Sequence, residues 1–410
     1  MRIAVLLTSF PERSNTFTLN HVTGLLNRGH EVDVYADRQG DVRAVHPDVD
    51  RHRLLERTFY PSMPQGPVQR MRKGLRLFAG ACVDAPLATL HSLSLLHGSC
   101  LPTCLVQLYG QASILRRRSY DIIHCHFGPN GVKGCFLRES GHIAGKLITT
   151  FHGHDAWSYP RTYGAGVYRQ LFRKGDFYTT NTKFTADSAI RLGCPADRIA
   201  VLPVGVDLER FPYADRRLAP GEEVRILTVA RLVEFKGVEY GIRAVAQLAP
   251  RYPALRYQVA GDGPLRQSLE TLARRLDVAD RVEFLGGQPY DRVVDLFARA
   301  HLFLLPGVLT RVGDVEAQGM VLVEAQAAGM PVVASRVGGI PETVLEGESA
   351  FLVPPRDVAA LAERLGCLIE HPERWSAMGR AGRTYVEQHY DTEKVNDRIV
   401  GIYEGLLRTP

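Results

Sequence analysis

Short runs rich in valine, isoleucine and leucine recur along this chain, and most are followed by a segment of helical length with an amphipathic pattern. Continuous apolar runs suit strands that are buried on both faces. Their alternation with helical segments is the pattern of a parallel sheet covered by helices. The runs predict strands at 2–8, 30–36, 121–125, 146–152, 177–181 and 199–202, and a second series at 224–230, 255–260, 282–285, 301–306, 331–335 and 350–353. The predicted class is α/β. At 410 residues the chain exceeds what one ordinary core accommodates, so two domains are expected. The polar stretch ADRRLAPGEE from residue 214 reads as the linker between them.

These features predict two doubly wound, Rossmann-like domains, 1–213 and 214–385, with a cleft between them. A helical segment at 386–410 can pack back on the first domain or on the second. Ligands of such folds bind beyond the carboxyl ends of the strands, so functional residues are expected there. The stretch near 205–220 is expected to act as a hinge for closure over a ligand.

Composition narrows the function classes. The seven cysteines, at 82, 100, 104, 125, 135, 194 and 367, form no CxxC pair and no zinc-like spacing, which predicts reduced thiols and a cytoplasmic protein. The apolar start is cut short by Pro11, Glu12 and Arg13, and the apolar stretch 75–108 is interrupted by Asp84, Pro86, His91, His97 and Pro102. Neither a signal segment nor a membrane span is expected. A net charge of +6 favours anionic partners without choosing among phosphates, nucleic acid and acidic membranes. No Walker loop, GxSxG elbow or HExxH helix is present, and the first strand runs into SFPERSNTF rather than GxGxxG.

Four segments at predicted strand ends carry chemistry. In GDVEAQGMVLVEAQAAGMPVVAS (313–335), Glu316 falls in a loop and Glu324 in the following helix. Between them Gly319, Met320 and Val321 present backbone amides at a helix N-terminus, where unpaired donors and the helix dipole suit a diphosphate. Read singly, Glu316 is equally a solvated loop residue and Glu324 a surface residue, but the apolar neighbours of Glu324 make an unpartnered carboxylate there costly. Arg231 follows a strand and Lys236 is expected to open the next helix, a pair of cations suited to charge that builds on a departing diphosphate. Either is also readable as an exposed basic residue. VAGDGPLR (259–266) is read as a pocket wall. TTFHGHDAW ends a strand in His152, Gly153, His154 and Asp155, readable as a substrate-facing group, a structural loop or an incomplete metal site. His124 and His126 are read as core or loop histidines and left out of the site.

Together with PVGVDLERF (203–211), AGDGPL and MPVVASRVGGIPE (330–342), these residues resemble glycosyltransferase family four, and within it the bacterial exopolysaccharide and colanic acid group. The resemblance covers nearly the whole chain. It departs at Asn15, which stands where that group has Glu. The resemblance implies the GT-B fold, a nucleotide-diphosphate sugar as co-substrate, best guessed as a UDP-sugar although GDP-sugars occur among relatives, and transfer with retention at the anomeric carbon. It implies no cofactor and no metal. By the same resemblance Arg231 and Lys236 stabilise the diphosphate, Glu324 binds the ribose hydroxyls, Glu316 contacts the donor sugar and His152 reaches its hydroxyls. The acceptor is expected to be a glycan or lipid-linked glycan, and no nucleic acid is expected as a partner. The stretch QRMRKGLRLFAG, with Arg70, Arg72, Lys73 and Arg76, is read both as a docking surface for an anionic membrane and as a solvated basic face. The alternatives are a nonhydrolysing sugar-nucleotide epimerase and a nucleotide-sugar-binding protein without catalysis.

Overall fold

A computed structural model of the chain describes residues 1–12, 16–40, 46–60, 69, 72, 118–139 and 141–408. They form two compact units. The first comprises 1–180, 188–200 and 396–410, and the second 181–187 and 201–395.

The first unit carries a seven-stranded sheet of β1 (Arg2–Phe10), β2 (Glu31–Gln39), β3 (Thr58–Phe59), β4 (Arg118–His126), β5 (Ile143–Phe151), β6 (Phe177–Thr180) and β7 (Ile199–Val201). Their order is β3-β2-β1-β4-β5-β6-β7. The second carries β8 (Val224–Val229), β9 (Leu255–Ala260), β10 (Val282–Gly286), β11 (Leu302–Leu305), β12 (Val332–Ser335) and β13 (Ala350–Val353), in the order β10-β9-β8-β11-β12-β13. Every described strand-to-strand ladder is parallel, and an isolated antiparallel bridge joins Gly261 and Gly286. In each sheet the order reverses beside the first strand of the unit, between β1 and β4 and between β8 and β11. Such a reversal opens a crevice beyond the strand ends.

Both faces of the second sheet carry buried side chains, and three of its strands, LFLL, VVAS and AFLV, read as nearly continuous apolar runs. Alternate residues enter opposite cores: Ile226 and Leu304 pack with Tyr257, Leu365 and Trp375, while Leu227, Phe303 and Leu305 pack with Phe297, Leu322 and Val332. The helix Val238–Leu248 buries Val238, Gly241, Ile242, Val245 and Leu248, a three-four spacing that lays one stripe on the sheet. Each fully buried Leu or Ile in such a layer stabilises the fold by roughly 1.5–3 kcal/mol.

The observed strands match the twelve predicted to within about three residues at either end, the usual scatter of such boundaries. The thirteenth, β3, is two residues long and too short to show a period. Three local expectations change. Lys236 does not open a helix but ends the 3-10 turn Glu234–Lys236, and the helix begins after Gly237. The expected helical segment 386–410 is divided between the end of the helix Glu373–His389 and the helix Thr392–Arg408. The polar stretch 214–223 is anchored rather than loose: Arg216 is 5% exposed and donates to the carbonyls of Phe297, Ala298 and Ala328 at 2.9, 2.5 and 2.6 Å.

Among the described residues no helix is long and apolar enough to cross a membrane. Cys125, Cys135, Cys194 and Cys367 are free thiols. Asn15 and, apart from Gln69 and Arg72, the stretch QRMRKGLRLFAG lie outside the described residues.

Candidate functional site

In the second unit the loop after β8 and the loop after β11 meet at the strand-order reversal. Leu305 ends β11, and a loop carrying Glu316 leads to the helix Met320–Ala327. The Lys236 ammonium, from the β8 loop, is hydrogen-bonded to the Glu316 carboxylate as a salt bridge, with only 15% and 12% of the two side chains exposed. No acceptor for the amides of Gly319, Met320 or Val321 is found among the described residues, as expected of the first turn of a helix. Glu324, one turn into that helix, is pushed up to about 7 by burial, with Lys236 opposing the shift. Its carboxylate makes no hydrogen bond among the described residues, so it stands ready to accept from a ligand. Arg231 is exposed two residues beyond β8, and its guanidinium makes no hydrogen bond or ion pair among the described residues.

Neighbouring segments hold these loops by backbone contact. Ala230 N donates to Ala260 O and Leu232 N to Asp262 O, both at 2.9 Å, so the AGDGPL turn flanks Arg231 on both sides. At Gly261, with φ +140°, a Cβ would fall 1.8 Å from the Ala230 carbonyl oxygen, so only glycine allows that approach. Gly339 N donates to Glu316 O at 3.0 Å, and a Cβ on Gly339 would lie 1.8 Å from Ala317 O. The Glu342 carboxylate of the same VGGIPE segment accepts from the amides of Lys183 and Phe184 at 2.6 and 2.8 Å.

Gln318 was not singled out from the sequence. It is 2% exposed, and its amide holds Val204 from both sides: Val204 N donates to Oε1 at 2.9 Å and Nε2 donates to Val204 O at 3.0 Å. The PVGVD segment is thereby fixed to the Glu316 loop. Its one sequence signal is an amide directly before the helix-capping glycine.

His152 lies in the first unit, half-buried just past β5. It belongs to an unbroken line of polar contacts. Its Nε2 is 3.0 Å from His126 Nδ1, and His126 Nε2 is 2.8 Å from His21 Nδ1. His21 Nε2 is 2.9 Å from the Tyr403 hydroxyl, which is 2.6 Å from His124 Nδ1. His124 Nε2 is 2.7 Å from Thr150 Oγ1, itself 2.6 Å from Thr179 Oγ1. Burial holds His21 and His152 down to about 4 and about 3 and His124 and His126 well below the usual imidazole range, so all four rings are neutral at pH 7. His124 and His126, set aside on the sequence as core residues, are indeed buried, yet they contact one another's partners rather than apolar side chains alone. The signal for them is two histidines at strand spacing on one face of β4.

His21, His124 and His126 have ring nitrogens within 4.8 Å of one another. The 2.8 Å between His21 and His126 is a hydrogen-bond distance, whereas two nitrogens on a tetrahedral zinc ion stand about 3.3 Å apart. His154 is exposed and outside this group. Asp155 is 2% exposed and accepts from the amides of Gly128, His152 and Gly153 at 2.8, 3.0 and 2.9 Å, so its carboxylate builds the turn instead of facing a substrate.

Two Rossmann-like parallel sheets in tandem, the second with cations and open amides at its strand-order reversal, define a glycosyltransferase of the GT-B class. Residues 14–210 match the family model described as Glycosyltransferase Family 4, and residues 211–385 the one described as Glycosyl transferases group 1. The chain is 34% identical to the putative colanic acid biosynthesis glycosyltransferase WcaL of Salmonella typhimurium, covering 99% of this chain and 100% of that one. It is 32% identical to the GDP-mannose-dependent alpha-(1-6)-phosphatidylinositol monomannoside mannosyltransferase of Mycolicibacterium smegmatis, over 70% of this chain and 77% of that one. The chain belongs to glycosyltransferase family 4. Among solved structures, Anabaena HepE in complex with UDP-glucose has the same fold, with a TM-score of 0.70 at 20% identity, covering 99% of this chain and 100% of that one.

Proposed function

We propose that this glycosyltransferase moves a sugar from a UDP-sugar to a glycan or lipid-linked glycan in exopolysaccharide synthesis, with retention at the anomeric carbon and without a divalent ion. The observation that carries the reading is the set of amides at Gly319, Met320 and Val321, without acceptors among the described residues, beside Lys236, an anion cradle at a helix N-terminus. The colanic acid relative supports the exopolysaccharide setting, and the UDP-glucose complex of HepE supports the choice of nucleotide.

In this reading the diphosphate lies on those amides with Lys236 and Arg231 beside it, and Glu324 accepts from the ribose hydroxyls. Glu316 and His152 contact the donor sugar. The acceptor oxygen forms its bond to the anomeric carbon on the face from which the diphosphate leaves. The carbon–oxygen bond to phosphate breaks with its electron pair going to the diphosphate, and the acceptor proton passes to that departing oxygen. Cations placed where this charge develops stabilise the transition state more than the ground state. No protein nucleophile is assigned.

The test is a thermal-shift series of the full chain with UDP-glucose, GDP-mannose and ADP-glucose, each with EDTA, followed by product analysis with and without a glycan acceptor. Stabilisation by the UDP-sugar and product only with acceptor are expected. Stabilisation by GDP-mannose alone transfers the donor assignment to the nucleotide used by the mycobacterial relative. A changed sugar nucleotide from donor alone would mark an epimerase and overturn the reading.

A further inference from the structure

The first unit has its own crevice at the reversal between β1 and β4, and a cavity of about 280 Å³ occupies it. The carboxyl ends of β1 and β2 supply Ser9 and Arg38 to its lining, and the segments that follow β4 and β5 supply Phe127, His154 and Tyr159. The space is slightly smaller than pockets that enclose whole drug-sized ligands, so it suits one sugar residue rather than a complete nucleotide sugar.

Phe127 ties this cavity to the reacting centre. Its ring centroid is 4.7 Å from that of His152, which the proposed reading sets against the donor sugar. Its backbone stands at φ +71°, a left-handed conformation that an aromatic residue rarely adopts. Three hydrogen bonds hold it there: Phe127 N donates to Thr150 O at 2.8 Å, and Phe127 O accepts from the amides of Asn130 and Gly131 at 3.0 and 3.2 Å. Strain maintained in this way clusters at segments that contact ligands. The ring is half-buried in the cavity wall and offers an apolar face to the C–H side of a pyranose.

Charge narrows the choice of sugar. Asp155 also lines the cavity, but its carboxylate is turned to three backbone amides. The Glu12 carboxylate accepts from Ser9 Oγ. Arg38 is exposed and makes no hydrogen bond or ion pair among the described residues, and the neighbouring carboxylate, Asp37, is taken by Lys133. A guanidinium presents a planar fork of donors that matches a carboxylate or a phosphate.

We propose that this cavity takes the terminal sugar of the acceptor and that Arg38 is a specificity-determining residue there, selecting an acceptor with an anionic group. That group is a carboxylate on the sugar itself or a phosphate of the carrier beside it. The inference rests on the reading that His152 contacts the donor sugar, which leaves the space beyond Phe127 for the group that receives it. In this arrangement Phe127 supports the ring, Glu12 accepts from its hydroxyls and Arg38 donates both arms of its fork to the anion.

The test uses the full chain with para-nitrophenyl glucuronide, para-nitrophenyl glucoside and glucose 1-phosphate as probes. Binding is followed by saturation-transfer NMR, and thermal stabilisation by UDP-glucose is measured on the same samples. At least one anionic probe should bind about tenfold or more tightly than the glucoside, the scale of a hydrogen-bonded contact to a charged group. Arg38→Gln changes an exposed side chain and should bring the anionic probes to the affinity of the glucoside. Phe127→Gly removes the ring, suits the left-handed backbone and should weaken all the probes. A preference for the glucuronide places the anion on the sugar, and one for glucose 1-phosphate places it on the carrier. Equal affinity for all the probes in the wild-type protein, a preference that survives Arg38→Gln, or binding unmoved by Phe127→Gly overturns the proposal. Anion binding that depends on Arg38, without stabilisation by UDP-glucose, would keep the subsite and remove the donor reading. Stabilisation by UDP-glucose with no preference for an anion would do the reverse.

Discussion

The Lys236 ammonium is hydrogen-bonded to the carboxylate of Glu316, and only 15% and 12% of the two side chains are exposed. The pairing keeps a cation in place at low exposure, where its field is less screened by solvent than at a free surface. In the proposed reading, a diphosphate on the amides would meet a positive charge already oriented by Glu316. Lys236→Ala should therefore act mainly on the chemical step, with kcat reduced about 10²–10³-fold, the range seen when one preorganised partner of a developing anion is removed. Steady-state kinetics of UDP release with acceptor present check this. A variant with unchanged kcat would remove Lys236 from the site.

Glu324 is the residue whose ionisation should show in binding. Burial pushes its carboxyl up to about 7, so in the free protein it is largely protonated below that pH and ionised above it. Ribose hydroxyls donate better to the carboxylate than to the acid, so nucleotide binding should strengthen as pH rises through about 7 and level off above it. UDP-glucose suits the measurement because its diphosphate diester does not titrate near neutrality. Calorimetric titrations from pH 6 to 8 should show the rise in the wild-type protein. Glu324→Gln should bind more weakly and lose the dependence; a slope that survives in Glu324→Gln assigns it to another group.

The framework of the molecule was legible in the sequence because short strands rich in Val, Ile and Leu alternate with segments of helical length. Leu302–Leu305 and Ala350–Val353 are apolar runs with nothing to mistake. Glu316, Gly319, Met320, Val321 and Glu324 were legible because one loop and one helix turn bring them together within nine residues. What escaped was set by contacts distant in sequence. The bond from Lys236 to Glu316 spans 80 residues, and that from His124 to Tyr403 spans 279, so no local period records either. A histidine facing inward on a strand looks the same whether apolar groups or other histidines surround it, which is why His124 and His126 read as core. Arg216 was hidden differently, since a buried arginine serving carbonyls carries the same letter as a solvated one in a polar linker.

Arg216 makes a stability prediction separate from the chemistry. Its guanidinium serves three carbonyls, two of them at the end of the helix Tyr290–Arg299 and one just past the helix Met320–Ala327, where helix dipoles favour a cation. Arg216→Ala removes the donor to all three, Ala328 O keeping only the Ala214 amide at 3.3 Å, a loss of about 3 kcal/mol at roughly 1 kcal/mol for each bond. The second unit should melt about 6–12 °C lower, at roughly 2–4 °C per kcal/mol for a unit of this size. Scanning calorimetry of the full chain reads the shift. A transition unmoved by the substitution would mean that the carbonyls find other donors.

Gly339 tests whether the Glu316 loop is held in place from behind. A Cβ added there would stand 1.8 Å from the Ala317 carbonyl oxygen and 2.8 Å from Thr182 Cγ2, and the first of these is backbone that cannot turn aside. Gly339→Ala therefore forces the 316–317 backbone or the 338–340 turn to move, breaking the 3.0 Å bond from Gly339 N to Glu316 O. Overpacking of this kind costs about 1–3 kcal/mol. Because Glu316 holds Lys236, the displacement should travel to the cation and to the amides that follow it. Transfer with UDP-glucose should fall although residue 339 is assigned no contact with the donor. Pairing the kinetics with a thermal melt separates the two effects, since a variant that melts lower but retains full kcat and donor KM below its transition would show that the loop reaches its working geometry without this support.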